Sequence, residues 1–421
     1  MFKRTLGRSG IEVNALGLGC MEIGGKMKDN ESFPSLKENQ PMFSLGDVDD
    51  DESIRTIHFA LDAGVNFFDT APAYGAGHSE RVLGRALSGR RAKAIIATKF
   101  GKLIDEADNQ FGRYKSAREL INNIRKECED SLRRLRTDTI DLYQFHQLDL
   151  KLDDFAEEVI SILEALVSAG KIQWYGWSTN DSASVRIFAQ AEHCTAIQHN
   201  LNLIEDAPTQ LSLCDEFNQA SIARGILGMG FLTGKYTAEN YRSLLSPDDY
   251  RLRSGSYFLS LLENLEKVRD ILTSNGRTVA QGALAWVWAR SERTLPFLAS
   301  GLLHKLRRIF KLSILVRLRY VKWKKLRCCS GAASVFMNIL ISSKVNALAA
   351  LHLSRRSLPG CSSGRFQSTA GEELDALLPS CKGMIPVLHG VRCVRCNLTG
   401  VQAYAKNCGP VAQSHRDASR R

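Results

Sequence analysis

Seven times between residues 15 and 289 a short apolar run is followed by a segment of helical periodicity, and an eighth run begins at Thr294. The apolar runs are residues 15–20, 65–69, 94–99, 140–146, 173–178, 196–200, about 221–225 and, as a start only, 294–296. The helical segments lie at 51–63, 80–87, 117–135, 155–168, from Asp181 or Ser182 onward, at 209–218, and at 261–274 and 279–289. Ser116 is placed to cap the third, and Gly64 and Gly170 stop the first and fourth. Strand followed by helix, repeated, indicates a parallel α/β architecture. Eight strands favour a closed (β/α)8 TIM barrel over an open sheet, and no GxGxxG follows a strand. Residues 4–20 read as a hairpin turning at Ser9 and Gly10 that leads into the first strand, and 24–50 as a long loop.

The chain of 421 residues can bury a large core and is long enough for one big domain or two to three average ones. It begins without an apolar signal segment. No uncharged apolar run reaches the ~18 residues of a spanning helix, so a soluble, cytoplasmic protein is expected. The net charge of +11 is unevenly divided. Residues 297–421 carry 21 Lys and Arg against 4 Asp and Glu, or +17, whereas residues 1–296 carry 35 against 41, or −6. Seven of the eleven cysteines also lie after Pro296. The other four, Cys20, Cys128, Cys194 and Cys214, are scattered thiols that suit a reducing compartment and give no metal spacing. A boundary at 296 is therefore expected. A barrel of 1–296 precedes a basic, cysteine-rich tail of 297–421 that reads as largely disordered and not as a folded domain.

Chemistry gathers at the strand ends. Asp69 and Tyr74 follow the second strand, Lys99 ends the third and His146 ends the fourth. In a barrel such positions converge on one rim. A phenol beside an ammonium is expected to have its pKa lowered from ~10, with Asp69 holding Lys99 charged. Tyr74 would then protonate a carbonyl oxygen that His146 fixes by a hydrogen bond. The missing reagent is a hydride, which no side chain supplies, so a nicotinamide is implied. Each residue alone also has a bland reading: a turn cap, a loop aromatic, a surface charge, a core histidine. Four in register on successive strand ends carry more weight than any one.

Residues 4–296 resemble the aldo-keto reductase superfamily of NAD(P)H-dependent barrel oxidoreductases. The matching pieces are LGLG (16–19), GVNFFDTAPAYG (64–75), SERVLGRAL (79–87), ATKFG (97–101), DLYQFH (141–146), GKIQWYGWS (170–178), the strand of Gln198 and GFLTGKY (230–236). The resemblance implies that Asp69, Tyr74, Lys99 and His146 are the catalytic tetrad, with Tyr74 as general acid. It implies NADPH as cofactor, with NADH left open, and a small-molecule carbonyl as substrate. Ser178 and Gln198 match positions that hold the nicotinamide carboxamide. Where the family often has Asn after the serine, this chain has Thr179 and then Asn180. Arg224 stands where an aromatic usually stacks on the nicotinamide, and Leu227, Gly228, Gly230 and Leu232 match the stretch that lines the pyrophosphate. Trp174, Trp177, His78 and His199 read as packing residues.

The resemblance stops after Pro296. The family continues there with an Ile-Pro-Gly-like turn and a helix whose Arg, Gln and Glu-Asn grip the adenosine end of the cofactor. This chain reads FLASGLLHKLRRI. One synonymous choice of codons for residues 297–309, read two nucleotides later, gives Pro-Gly-Phe-Arg-Thr-Val-Ala-Gln-Val-Glu-Glu-Asn. Translation out of frame from about Phe297 would explain the charge, the cysteines and the lost motif together. It predicts an incomplete last β/α unit, poor closure by the eighth strand, weakened cofactor binding and, with the tetrad intact, weak or no activity for this polypeptide. The basic segment 310–326 and the lone Cys393–Cys396 pair, which otherwise hint at membrane, nucleic acid or zinc, then have no selected role. No nucleic acid, membrane or metal partner is expected, and the oligomeric state stays open. The alternative function is a non-catalytic barrel that senses nucleotide or binds a partner.

Overall fold

The computed structural model describes residues 2–25, 28–29, 48–147, 155–245, 250–253 and 257–299. The chain divides into two units, 1–333 and 334–421, and the described residues all belong to the first. Most of the expected loop at 24–50, and the tail with its 310–326 and Cys393–Cys396 segments, lie outside the described residues.

A hairpin of β1 (Lys3–Thr5) and β2 (Glu12–Asn14) leads into β3 (Gly17–Gly19). Next come β4 (Lys28–Asp29), α1 (Asp50–Asp62), β5 (Phe67–Asp69), α2 (His78–Ala86), β6 (Ile95–Phe100), β7 (Leu103–Asp105) and β8 (Gln110–Gly112). The repeat continues through α3 (Ala117–Leu135), β9 (Ile140–Phe145), α4 (Ala156–Ser168), β10 (Ile172–Ser178), α5 (Ser182–Ala189), β11 (Cys194–Asn200), α6 (Pro208–Glu216) and β12 (Ala220–Arg224). A short α7 (Tyr241–Leu244), α8 (Tyr257–Thr273) and α9 (Val279–Arg290) precede β13 (Thr294–Ala299). Helix starts follow their caps. Asp49 accepts from the N–H groups of Asp51 and Glu52 at 2.8 and 3.0 Å, Ser116 from Glu119, and Thr278 and Gln281 form a reciprocal capping box.

Strands β3, β5, β6, β9, β10, β11, β12 and β13 close into one parallel barrel in that order. The expected (β/α)8 architecture is thus the observed one. Poor closure by the last strand is not seen. β13 runs past Pro296, and Phe297, Leu298 and Ala299 stand in register with Gly17, Leu18 and Gly19. Phe297 is 6% exposed, with its ring 4.8 Å from that of Phe67. An apolar side chain at 297 is enough to seal this seam, whichever residue the family prefers there. The helix that would follow lies outside the described residues.

A small sheet of β4, β8 and β7, absent from the sequence reading, lies beside the barrel. Its strands are two or three residues long, too short to show a period.

Side chains alternate along each strand, and the inward ones form layers. The lower interior holds Phe67, Ala97, Leu142, Ala196, Ile222, Leu295 and Phe297, plugged by Leu6 and Val13 of the hairpin. Arg4 and Arg8 fasten this plug. Arg4 donates to the carbonyls of Trp288, Ser291 and Thr294, and Arg8 to those of Ala189, Ala191 and Phe217. They thereby satisfy orphan carbonyls near the ends of α9, α5 and α6.

Outside the barrel, Thr98 donates to Glu80, whose other oxygen takes the Arg134 Nε–H at 2.6 Å. The side chains of Glu80 and Arg134 are 0% and 5% exposed. Arg134→Met strands a buried carboxylate and is expected to cost about 3–5 kcal/mol, whereas Glu80→Leu with Arg134→Met costs much less. Urea unfolding of the two variants checks this. Equal losses would mean that the pair acts through packing alone.

Candidate active site

Two residues above the apolar layer, the same inward rows turn polar. Phe67 is followed by Asp69, Ala97 by Lys99, Leu142 by Gln144, Ala196 by Gln198 and Ile222 by Arg224. These five meet at the C-terminal mouth of the barrel. Lys99 Nζ donates to Asp69 Oδ2 at 2.7 Å and to the Thr70 carbonyl at 2.8 Å. Asp69 Oδ1 accepts from Gln198 Nε2 at 2.9 Å and from Gln144 Nε2 at 3.3 Å. Ser178 Oγ donates to Gln198 Oε1 at 3.2 Å.

Tyr74 arrives from the turn between β5 and α2. Its N–H donates to the Ala71 carbonyl at 3.0 Å. Gly24 is pressed against its backbone, where an added Cβ would stand 2.6 Å from the Tyr74 carbonyl carbon. Lys99 Nζ lies 3.3 Å from the phenol oxygen and 4.9 Å from the ring centre. His146, one residue beyond β9 rather than its last residue, sets its ring edge-on to Tyr74 at 6.2 Å and 85°. The structure therefore brings Asp69, Tyr74, Lys99 and His146 into one cluster.

Its electrostatics differ from the sequence expectation at one point. Burial pushes the Tyr74 phenol above the ordinary tyrosine value, and the lowering by Lys99 does not reverse that. Depth, not the nearest charge, decides the sign. Burial also disfavours the Lys99 ammonium, but Asp69 and Tyr74 outweigh it and hold Lys99 above the usual lysine value. Burial, with the charges of Lys99, Lys102 and Arg224, keeps His146 well below the usual histidine value, hence neutral. Among the described residues its Nδ1 is buried without a partner. A protonated phenol and a neutral imidazole suit proton donation to, and hydrogen bonding of, one substrate oxygen.

The remaining expected residues fall into three groups. Gln198 bonds Asp69, and Ser178 bonds Gln198, so both belong to the cluster of Asp69. Asn180 belongs to a different cluster. Its Oδ1 accepts from the Asn200 N–H at 2.9 Å and from Arg224 Nη2 at 3.3 Å, while Arg224 Nη1 donates to Asn200 Oδ1. Sequence reasoning passed over Asn200. Leu227, Gly228, Gly230 and Leu232 form a tight turn after β12, with φ of 53° at Gly228 and 95° at Gly230. The N–H groups of Gly228, Gly230 and Leu232 donate to the carbonyls of Gly225, Leu227 and Leu227 at 2.8, 3.0 and 3.0 Å. Bare backbone, not spare donors, is what this turn offers at those three residues. Met229 between them is held at φ 54° and ψ 31°, a left-handed conformation unusual for its type. Arg251, also missed, donates to the Met229 carbonyl at 2.9 Å and lies over the rings of Phe231 and Tyr236. It sets a positive charge against the glycine turn. His199 and Trp177 do packing work: His199 bonds Ser221 Oγ at 2.9 Å, and Trp177 meets Phe188 edge-on at 4.6 Å.

Among the described residues no group of three or more His, Cys, Asp or Glu is arranged to hold a metal ion, and no helix is long and apolar enough to cross a membrane.

The family model for the Aldo/keto reductase family matches residues 15–329, which runs past the expected boundary at 296. Aldo-keto reductase YhdN of Bacillus subtilis is 32% identical over 294 residues, covering 67% of this chain and 80% of its own. The glycerol dehydrogenase AKR11B4 of Gluconobacter oxydans matches with a TM-score of 0.59 and 28% identity, over 85% of this chain and 96% of its own. An aldo-keto reductase of Klebsiella pneumoniae, solved in complex with NADPH, matches with a TM-score of 0.50 and 22% identity, over 74% and 90%, a likeness of fold alone.

Proposed function

This chain belongs to the aldo/keto reductase family of oxidoreductases, and on that premise we propose that it reduces an aldehyde or ketone to an alcohol with NADPH. The observation that carries the reading is the Tyr74 phenol set 3.3 Å from a buried Lys99 that Asp69 holds charged. The residues at the mouth fit the cofactor. Ser178 and Gln198 would hold its carboxamide, Arg224 would lie on the face of its ring, and the bare backbone of the turn of Leu227, Gly228, Gly230 and Leu232 would let its diphosphate approach closely, with Arg251 supplying the charge. Asn180 would act through Arg224 rather than on the carboxamide. When bound, the cofactor supplies the hydride that no side chain can.

The chain's own residues do the rest. His146, neutral, donates a hydrogen bond that fixes the carbonyl oxygen. Tyr74 gives that oxygen its proton as negative charge develops there. Lys99 stabilises the phenolate left behind, and Asp69 keeps Lys99 in place. We read residues 1–296, extended by the last three residues of β13, as the working barrel, and the rest of the tail as contributing no domain of its own.

The test is a fluorescence titration of the full chain with NADPH, followed by addition of a simple aromatic aldehyde. Slow aldehyde-dependent loss of the reduced cofactor is expected, and faster loss from a chain whose residues after Pro296 follow the alternative frame. Binding without turnover in both chains would overturn the enzymatic reading in favour of a nucleotide-sensing barrel.

A further inference from the structure

The Arg224 guanidinium is held entirely by uncharged groups. Nη1 bonds Asn200 Oδ1 and Nη2 bonds Asn180 Oδ1, and Asn180 is itself tied by the Asn200 N–H and by Gln210 Nε2, which donates to its carbonyl at 2.6 Å. Among the described residues no carboxylate ion-pairs with Arg224, and its Nε is buried without a partner. Three strand ends, those of β10, β11 and β12, thus converge to fix at the barrel mouth one positive charge that no carboxylate touches, Glu205 and Asp69 acting on it only from a distance. That charge is felt at both ends of the reacting pair, since it helps to lower both His146 and Tyr74.

A nicotinamide ring is neutral when reduced and carries a positive charge when oxidised. The ribose, adenosine and phosphate groups are the same in the two forms. We infer that the Asn180–Asn200–Arg224 cluster makes this site discriminate between the redox states of its dinucleotide, favouring the reduced form and releasing the oxidised one. This rests on the dinucleotide reading above. Arg224 acts on the ring by charge, and Asn180 and Asn200 are positioning residues that hold the guanidinium without neutralising it. A carboxylate in either place would cancel the effect. Two unit charges a few ångströms apart near a protein surface repel strongly enough to give roughly a tenfold or greater difference in affinity.

The experiment is a pair of titrations, NADPH and NADP+, on the full chain and on Arg224→Met and Arg224→Lys, read as the ratio of the two dissociation constants. The parent chain is expected to favour NADPH by about tenfold or more, Arg224→Met to bring the ratio close to one mainly by tightening NADP+, and Arg224→Lys to keep the preference. A ratio in Arg224→Met within about twofold of the parent's overturns the inference while leaving the dinucleotide reading intact. Failure to bind either form, both by the parent chain and by a chain whose residues after Pro296 follow the alternative frame, overturns that reading, and the inference with it. Because the readout is a ratio of equilibrium affinities, it does not depend on turnover.

Discussion

Tyr74→Phe is expected to lower the rate of carbonyl reduction by about 10²–10⁴-fold while leaving NADPH affinity nearly unchanged. The ring keeps its place, because the backbone of the turn is fixed by the Ala71 carbonyl and by Gly24. Only the proton donor is lost. The pH dependence follows from the position of the phenol. Its pKa is raised by burial, so the protonated form that reduction needs persists below that raised value. Reduction should therefore stay level through neutral pH and fall only above about 10, as the phenol ionises. Oxidation of the alcohol, which needs the phenolate, should rise over the same range. Lys99→Met removes a group that lowers the phenol, so the alkaline fall should move to still higher pH as the rate drops. Steady-state rates of the three proteins across pH check this. If Tyr74→Phe keeps more than about a tenth of the parental rate, the proton comes from another group and the assignment fails.

The barrel was legible because its strands are apolar runs with helices between them, a pattern that a parallel sheet imposes on sequence. The grouping of Asp69, Tyr74, Lys99 and His146 was legible because strand ends can be counted: Asp69, Lys99 and His146 each close, or nearly close, such a run. What escaped has a common cause. β7 and β8 are stretches of three residues without periodicity. Asn200 is an ordinary polar residue at a strand end until Arg224 of the next strand meets it, and that contact depends on register across two strands. Arg251 meets the carbonyl of Met229 from twenty-two residues further along the chain, a spacing with no periodicity to read. The direction of the Tyr74 shift depends on burial, which a sequence shows only in outline. A nearby lysine is visible in sequence; the depth that outweighs it is not.

The second large effect concerns the tail. A chain whose residues after Pro296 follow the alternative frame is expected to bind NADPH more than a hundredfold tighter than the chain in hand. The magnitude comes from the groups that frame restores: an Arg, a Gln and a Glu-Asn pair, of the kind that hold an adenosine and its phosphate. Hydrogen bonds to charged groups contribute about 1.5–3 kcal/mol each, and every 1.4 kcal/mol is tenfold in affinity, so two such contacts suffice. The nicotinamide end should be unaffected, since Ser178, Gln198 and Arg224 lie on β10, β11 and β12, before the change. The structure explains how a barrel tolerates it. Phe297 and Leu298 are apolar, pair with Gly17 and Leu18, and close the seam that the eighth strand must fill. The match to the family, which extends to residue 329, makes the comparison a necessary one. Equal NADPH affinity in the two chains, or coding DNA that reads cleanly in frame through codons 290–310, would overturn the frame reading. The adenosine end would then have to be held by groups this chain already possesses, and Arg251 on the glycine turn is the first to replace.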